Sequence, residues 1–156
     1  MSDDFSEYLI DTMNKGALSL MLSIGHRAKL FDVMSALPPS STKELAEQSK
    51  LNERYVMEWL GAMVSGKIVD FDPENNTFTL PKEKAQYLTR QGEIYNFAAS
   101  MQWIPVLAQV EDEIVECFGK GGGVPYSSYH RFHEVMAEES YQTLQIAEEA
   151  KAIKKP

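Results

Sequence analysis

Apolar positions in the first quarter of the chain recur at three- and four-residue spacing. From Ser6 to Ala36 this predicts helix, in two segments meeting near Asn14 to Gly16. The second segment carries Leu18, Leu20, Met21, Leu22 and Ile24, a set that covers more than one helical face. A helix that apolar must be covered on several sides, so these five residues are the expected contact between two copies of the chain. Leu37-Pro38-Pro39-Ser40 then stops the helix, because proline lacks the backbone donor and drives its predecessor out of the α region.

Ser41-Thr42-Lys43-Glu44 reads as a capping box opening a short helix to about Gln48. After a turn around Ser49 to Leu51, Asn52 is placed to cap a second helix. Its Tyr55, Val56, Trp59, Leu60, Met63 and Val64 fall on the inward spacing, and Gly66 ends it. Lys67 to Phe71 and Thr77 to Leu80 alternate as strands around the turn-forming Asp72-Pro73-Glu74-Asn75-Asn76. Helix, turn, helix and hairpin in that order predict a mainly α fold: a winged helix-turn-helix with one small β-hairpin and flanking N- and C-terminal helices. Further helices are expected near Lys82 to Leu88, over Glu93 to Met101 and from Val106 to Phe118, the last burying Leu107, Val110, Ile114, Cys117 and Phe118. Gly119 to Gly123 reads as a hinge, and Ser127 as the cap of a final helix. The division is residues 1–36 for association helices, 37–90 for the winged helix-turn-helix and 91–156 for a helical linker or lid.

Composition changes what this fold is expected to do. With 44% hydrophobic residues the chain can form a real core, while a formal charge of −8 opposes a phosphate backbone. The second helix of the helix-turn-helix exposes Glu53, Arg54, Met57, Glu58 and Gly61, and the wing adds Asp70, Asp72 and Glu74. Neither is the basic, amide-rich face that reads base edges, so no nucleic-acid partner is expected. The alternative is a winged-helix DNA-binding transcriptional regulator held on DNA through Lys50 and Arg54, and a third possibility is a plain interaction module. One cysteine, Cys117, and the absence of a long apolar stretch predict a cytoplasmic chain with no membrane partner. His130 and His133, three apart on the expected last helix beside Glu134, lack the third and fourth ligands of a zinc site, so no metal site and no catalytic residue are assigned.

Two stretches together resemble a known family. Gly16 to Leu80, with Ile24-Gly25 and Leu30-Phe31-Asp32, is similar to the N-terminal winged-helix region of class I S-adenosylmethionine-dependent methyltransferases. Gly121 to Glu134, which reads GGGVPYSSYHRFHE, resembles the segment joining that region to the catalytic domain in one subfamily. The resemblance implies a homodimerisation and substrate-lid role, with Tyr126, Tyr129, Phe132 and His133 nearest the donor or substrate in a complete enzyme. Packing of the linker helix is the other use those four side chains could have. Tyr141 to Pro156 contains no strand, acidic residue and glycine-rich turn of the kind that binds the donor. The chain is therefore expected to be truncated before a Rossmann-like domain, to bind no cofactor and to be inactive alone. S-adenosylmethionine and a small-molecule substrate belong to the complete enzyme.

Overall fold

The computed structural model describes the backbone of residues 2–153 and the side chains of residues 4–148. The first helix, α1 (Ser2–Arg27), runs without interruption through the expected joint at Asn14 to Gly16. A single helical glycine costs only about 1 kcal/mol relative to alanine and does not break a helix by itself. The break falls later, at Lys29, whose φ of 60° starts α2 (Leu30–Ala36) in a new direction.

The capping box forms as the sequence predicts. Ser41 Oγ accepts from the Glu44 amide at 3.3 Å, and the Ser41 amide donates to Glu44 Oε2 at 2.7 Å, opening α3 (Thr42–Ser49). Asn52 Oδ1 accepts from the Arg54 amide at 3.1 Å and starts α4 (Glu53–Ser65). Strands β1 (Asp70–Asp72) and β2 (Thr77–Thr79) pair antiparallel with Phe71 opposite Phe78, shorter than expected. Ser40 exchanges two backbone hydrogen bonds with Phe78, 3.1 and 2.8 Å, and so lays the α2–α3 connection along the wing.

The core lies where α1, α2 and α4 meet. Leu22, Phe31, Met34, Leu45, Val56, Trp59, Leu60 and Met63 are buried there, closed from the wing side by Val69 and Leu80. The Trp59 indole donates to the Met21 carbonyl at 2.9 Å and meets Phe31 edge to face at 5.1 Å. Tyr55, expected on this face, points outward and is exposed.

Beyond the wing the elements are shorter and more broken than periodicity suggests. After α5 (Lys82–Ala85), helix is expected over Glu93 to Met101, yet only α6 (Phe97–Ser100) forms. Gly92 passes so close to the Gln86 carbonyl that a β-carbon would lie 2.3 Å from its oxygen, and Asn96 serves as the cap of α6 instead of continuing a helix through it. The helix expected from Val106 to Phe118 is two, α7 (Trp103–Ala108) and α8 (Glu111–Lys120), parted at Val110. Pro105 sits in the first turn of α7, where its missing donor is harmless. Only Val110 of the expected stripe is buried; Leu107, Ile114 and Phe118 are exposed, Cys117 is half-buried, and no residue of α8 itself is buried. Gly121 and Gly122 take φ values of 73° and 88° at the hinge. A 3₁₀ turn (Tyr126–Ser128) follows, and α9 (Phe132–Ile153) starts four residues later than a cap at Ser127 would have it. Among the described residues no helix is long and apolar enough to cross a membrane.

Candidate functional site

The start of α9 gathers the four aromatic positions singled out in the sequence. Phe132 is the hub, with ring centroids 5.2 Å from Tyr126, 5.8 Å from Tyr129 and 5.8 Å from His133, and Trp103 of α7 closes the set at 5.1 Å. All these contacts are edge to face, the arrangement aromatic quadrupoles favour. The cluster is open to solvent on one side: Tyr126 is 68% exposed and His133 is exposed, while Phe132 and Tyr129 are half-buried. His130 precedes α9, so the two histidines do not share a helical face as expected. Among the described residues no three histidine, cysteine or acidic side chains are grouped to hold a metal.

Behind the cluster runs a polar seam that periodicity does not reveal. Trp103 links the two, its indole N–H donating to Glu139 Oε2 at 2.8 Å. Glu139 Oε1 also accepts from the Tyr95 hydroxyl and, at 3.1 Å, from Ser100. These donors, Tyr95 first, hold its carboxyl below the ordinary range despite the opposing effect of partial burial. The preceding residue, Glu138, accepts from Gln102 Nε2 at 2.7 Å and from His26 Nε2 at 2.7 Å. Burial pushes the Glu138 carboxyl up; those two donors and the nearby Arg90 charge prevail and lower it. Arg131 completes the chain, donating to Gln102 Oε1 and to Glu134 Oε1, both at 2.7 Å.

His26 sits at the inner end of the seam and is 1% exposed. Glu138 and Asn96 together favour one tautomer. Nε2–H donates to Glu138, which leaves Nδ1 as an acceptor facing the Asn96 amide at 3.5 Å. Arg90 Nη2 lies 3.1 Å from Nε2 and donates to the His26 carbonyl at 3.0 Å, while its other nitrogen pairs with Asp32. Burial pushes the imidazole below its ordinary value, and the Arg90 charge adds to that against the raising influence of Glu138 and Asp32. The seam thus ties α9 to α1, α6, α7 and the 89–96 loop through satisfied hydrogen bonds.

The five residues expected between copies divide. Leu22 is buried in the chain's own core, and Leu18 and Met21 pack against it; Leu20 and Ile24 are exposed. A larger exposed apolar surface lies upstream. Every residue from Asp4 to Ala17 is exposed, and these include Phe5, Tyr8, Leu9, Ile10 and Met13, the last at 69%. The steps of three from Phe5 to Tyr8 and from Ile10 to Met13 were available as a signal in the sequence. His26 and Glu138, separated by 112 positions, offered none.

Residues 16–90 match the family described as the Rv2258c-like winged HTH domain. No curated protein matches the chain. Among solved structures, human N-acetylserotonin methyltransferase in complex with SAM superposes with a TM-score of 0.67 at 14% identity, covering 93% of this chain and 45% of that one. N,N-8-amino-8-demethyl-D-riboflavin dimethyltransferase (RosA) from Streptomyces davawensis gives 0.65 at 14% identity, with 95% and 45% covered. CalO1, a methyltransferase in calicheamicin biosynthesis solved with SAH bound, gives 0.60 at 12%, with 96% and 45% covered. At these identities the likeness is one of fold. The chain spans less than half the length of each of these structures.

Proposed function

We propose, residues 16–90 being a winged helix-turn-helix domain of the Rv2258c-like type, that this chain is the association and substrate-covering portion of an S-adenosylmethionine-dependent methyltransferase and does no chemistry alone. The observation that carries the association half is the bare first half of α1. A helical arm of residues 4–17 would extend roughly 20 Å at 1.5 Å per residue, and a stretch that length is marginal in water without a partner. Here it is lined by Phe5, Tyr8, Leu9, Ile10 and Met13 with none of them buried. A second copy, offering the same arm around a two-fold axis, would cover both.

The covering half rests on the aromatic cluster. Methyl transfer requires chiefly that an electrophilic methyl and a nucleophile be held in line, and an apolar wall that excludes water serves that end. Tyr126, Tyr129, Phe132 and His133 form such a wall with one side open. The fold likeness to three methyltransferases supports this assignment over DNA reading, as does the exposed face of α4, where Arg54 stands among Glu53, Met57 and Glu58.

Light scattering tests association directly. The expected particle is twice the 17.6 kDa chain mass, and Leu9→Asp combined with Met13→Asp is expected to return it to a monomer without loss of helical signal. A monomeric wild-type chain at tens of micromolar would refute the association role. Calorimetric titration with S-adenosylmethionine is expected to give no binding heat; stoichiometric binding would refute the claim that the donor site lies elsewhere.

A further inference from the structure

The seam between α1 and α9 contains an ionisable ring in a place where a structural role alone would be served by any neutral donor. Its hydrogen bonds are arranged so that one proton more would set them against each other. We propose that His26 is the proton-operated catch of a latch that holds α9 on α1, closed when the ring is neutral and opened when it is protonated.

The argument begins with what faces the ring. Glu138 approaches from α9, Arg90 from the loop after α5, Asp32 from α2, and the Asn96 amide from the start of α6. In the neutral ring each nitrogen has a role: Nε2–H gives to Glu138 and Nδ1 receives from Asn96. Protonation turns Nδ1 into a second donor, now pointed at an amide N–H₂. Asn96 could rotate its oxygen toward the ring, but that oxygen already accepts from the Ala99 amide at 3.1 Å and caps α6. The new proton must therefore go unpaired or take the cap from α6.

Charge decides between tightening and release. An imidazolium 2.7 Å from the Glu138 carboxylate gains Coulomb energy, which by itself would strengthen the latch. That carboxylate is already shared with Gln102 and, at 4.0 Å, with Arg90, so its field at the ring is partly spent. Against the gain stand the Arg90 guanidinium 3.1 Å from Nε2 and the cost of charging a ring that is 1% exposed. The lowered proton affinity of His26 in this setting agrees with the balance falling toward release.

Opening would be felt at Trp103, whose indole N–H is held by Glu139, the neighbour of Glu138 on α9. Trp59, bonded to the Met21 carbonyl within the winged-helix core, is the internal reference. The experiment follows both indole N–H resonances of the full chain from pH about 7.5 to about 5, with exchange rates corrected for intrinsic pH dependence. Trp103 protection is expected to fall while Trp59 protection holds, by about tenfold for each unit by which the ring's proton affinity differs between open and closed states. His26→Gln, which keeps a donor toward Glu138 and cannot titrate, is expected to remain protected across the range. A flat wild-type profile, or a transition that persists in His26→Gln, overturns the proposal. If His26→Gln does not fold, Glu138→Gln decides: loss of the carboxylate should move the midpoint to lower pH, and an unmoved midpoint also overturns it.

Discussion

Gly25 offers the sharpest test of the core, because the structure states what any side chain there would meet. A β-carbon would lie 2.6 Å from Trp59 Cζ2, 2.8 Å from Phe31 Cε2 and 2.8 Å from Trp59 Nε1. Both rings are buried and rigid, and one supplies the indole bond to Met21, so none of the three atoms is the free end of a flexible chain. Gly25→Ala should therefore cost about 1–3 kcal/mol through overpacking. Loss of the indole hydrogen bond adds about 1 kcal/mol, and the better helix propensity of alanine returns about 1 kcal/mol. Net destabilisation of about 2 kcal/mol corresponds to a fall in Tm of roughly 4–8 °C for a domain of this size. Gly16→Ala in the same helix is the matched control: its β-carbon meets nothing within 4 Å, so only the propensity gain of about 1 kcal/mol remains and Tm should rise. Urea or thermal unfolding of the two variants measures the split. Equal effects of the two substitutions would refute the reasoning, since they share chemistry and helix and differ only in what surrounds the site.

Other expectations follow from the caps, the seam and the charge pattern. Ser41→Ala removes the cap of α3 and should cost about 1 kcal/mol in urea unfolding. Trp103→Phe keeps a ring against Phe132 but loses the bond to Glu139, and a drop of about 1–2 kcal/mol is expected, with no shift in the near-ultraviolet signal of Trp59. Stability should fall on acidification in two steps. His26 binds its proton less readily folded than unfolded, so its contribution is complete above its ordinary value of 6.5 and is lost as pH falls through the lower folded value. Glu138 and Glu139 are likewise depressed, and their contributions disappear as pH drops below 4.5. Tm measured against pH checks the order, and a maximum on the acid side would contradict it. A mobility-shift assay at low salt should show no duplex retardation, and a salt-sensitive shift abolished by replacing Lys50 and Arg54 would restore the regulator reading.

The winged helix was legible because its signals are local. A capping box needs only Ser41 and Glu44, and the asparagine cap of α4 needs only Asn52 and the amide two residues on; both appear in the structure as bonds between those residues. The distal half was not legible for the opposite reason. Asn96 stops one helix from forming through it because its side chain caps α6, and its amide is bonded to Gln142, 46 positions away. The buried His26 is set chiefly by partners 64, 70 and 112 positions distant, which no window of sequence contains.

The misread stripe of α8 isolates a different limit. Ile114, Cys117 and Phe118 do lie on one side of a helix, so the period is right, and yet Phe118 is 89% exposed. Periodicity reports that a face avoids water; it does not say which molecule covers it. The same holds in reverse for α1, where Leu22 was expected at a surface and is buried in the chain's own core, while Phe5, Tyr8 and Met13 stand open upstream. In both helices the strength of an apolar stripe does not name its partner; the geometry of the surrounding helices does. Leu22 lies beside α4 because the close approach at Gly25 brings Trp59 against α1, and that crossing fixes which turn of α1 faces inward. Among the described residues, none of the side chains from Asp4 to Ala17, the turns before Leu18, is buried. The exposed arm is thus a consequence of where one glycine lets two helices touch, and Gly25→Ala should disturb the core without altering the face that the arm offers to a second copy.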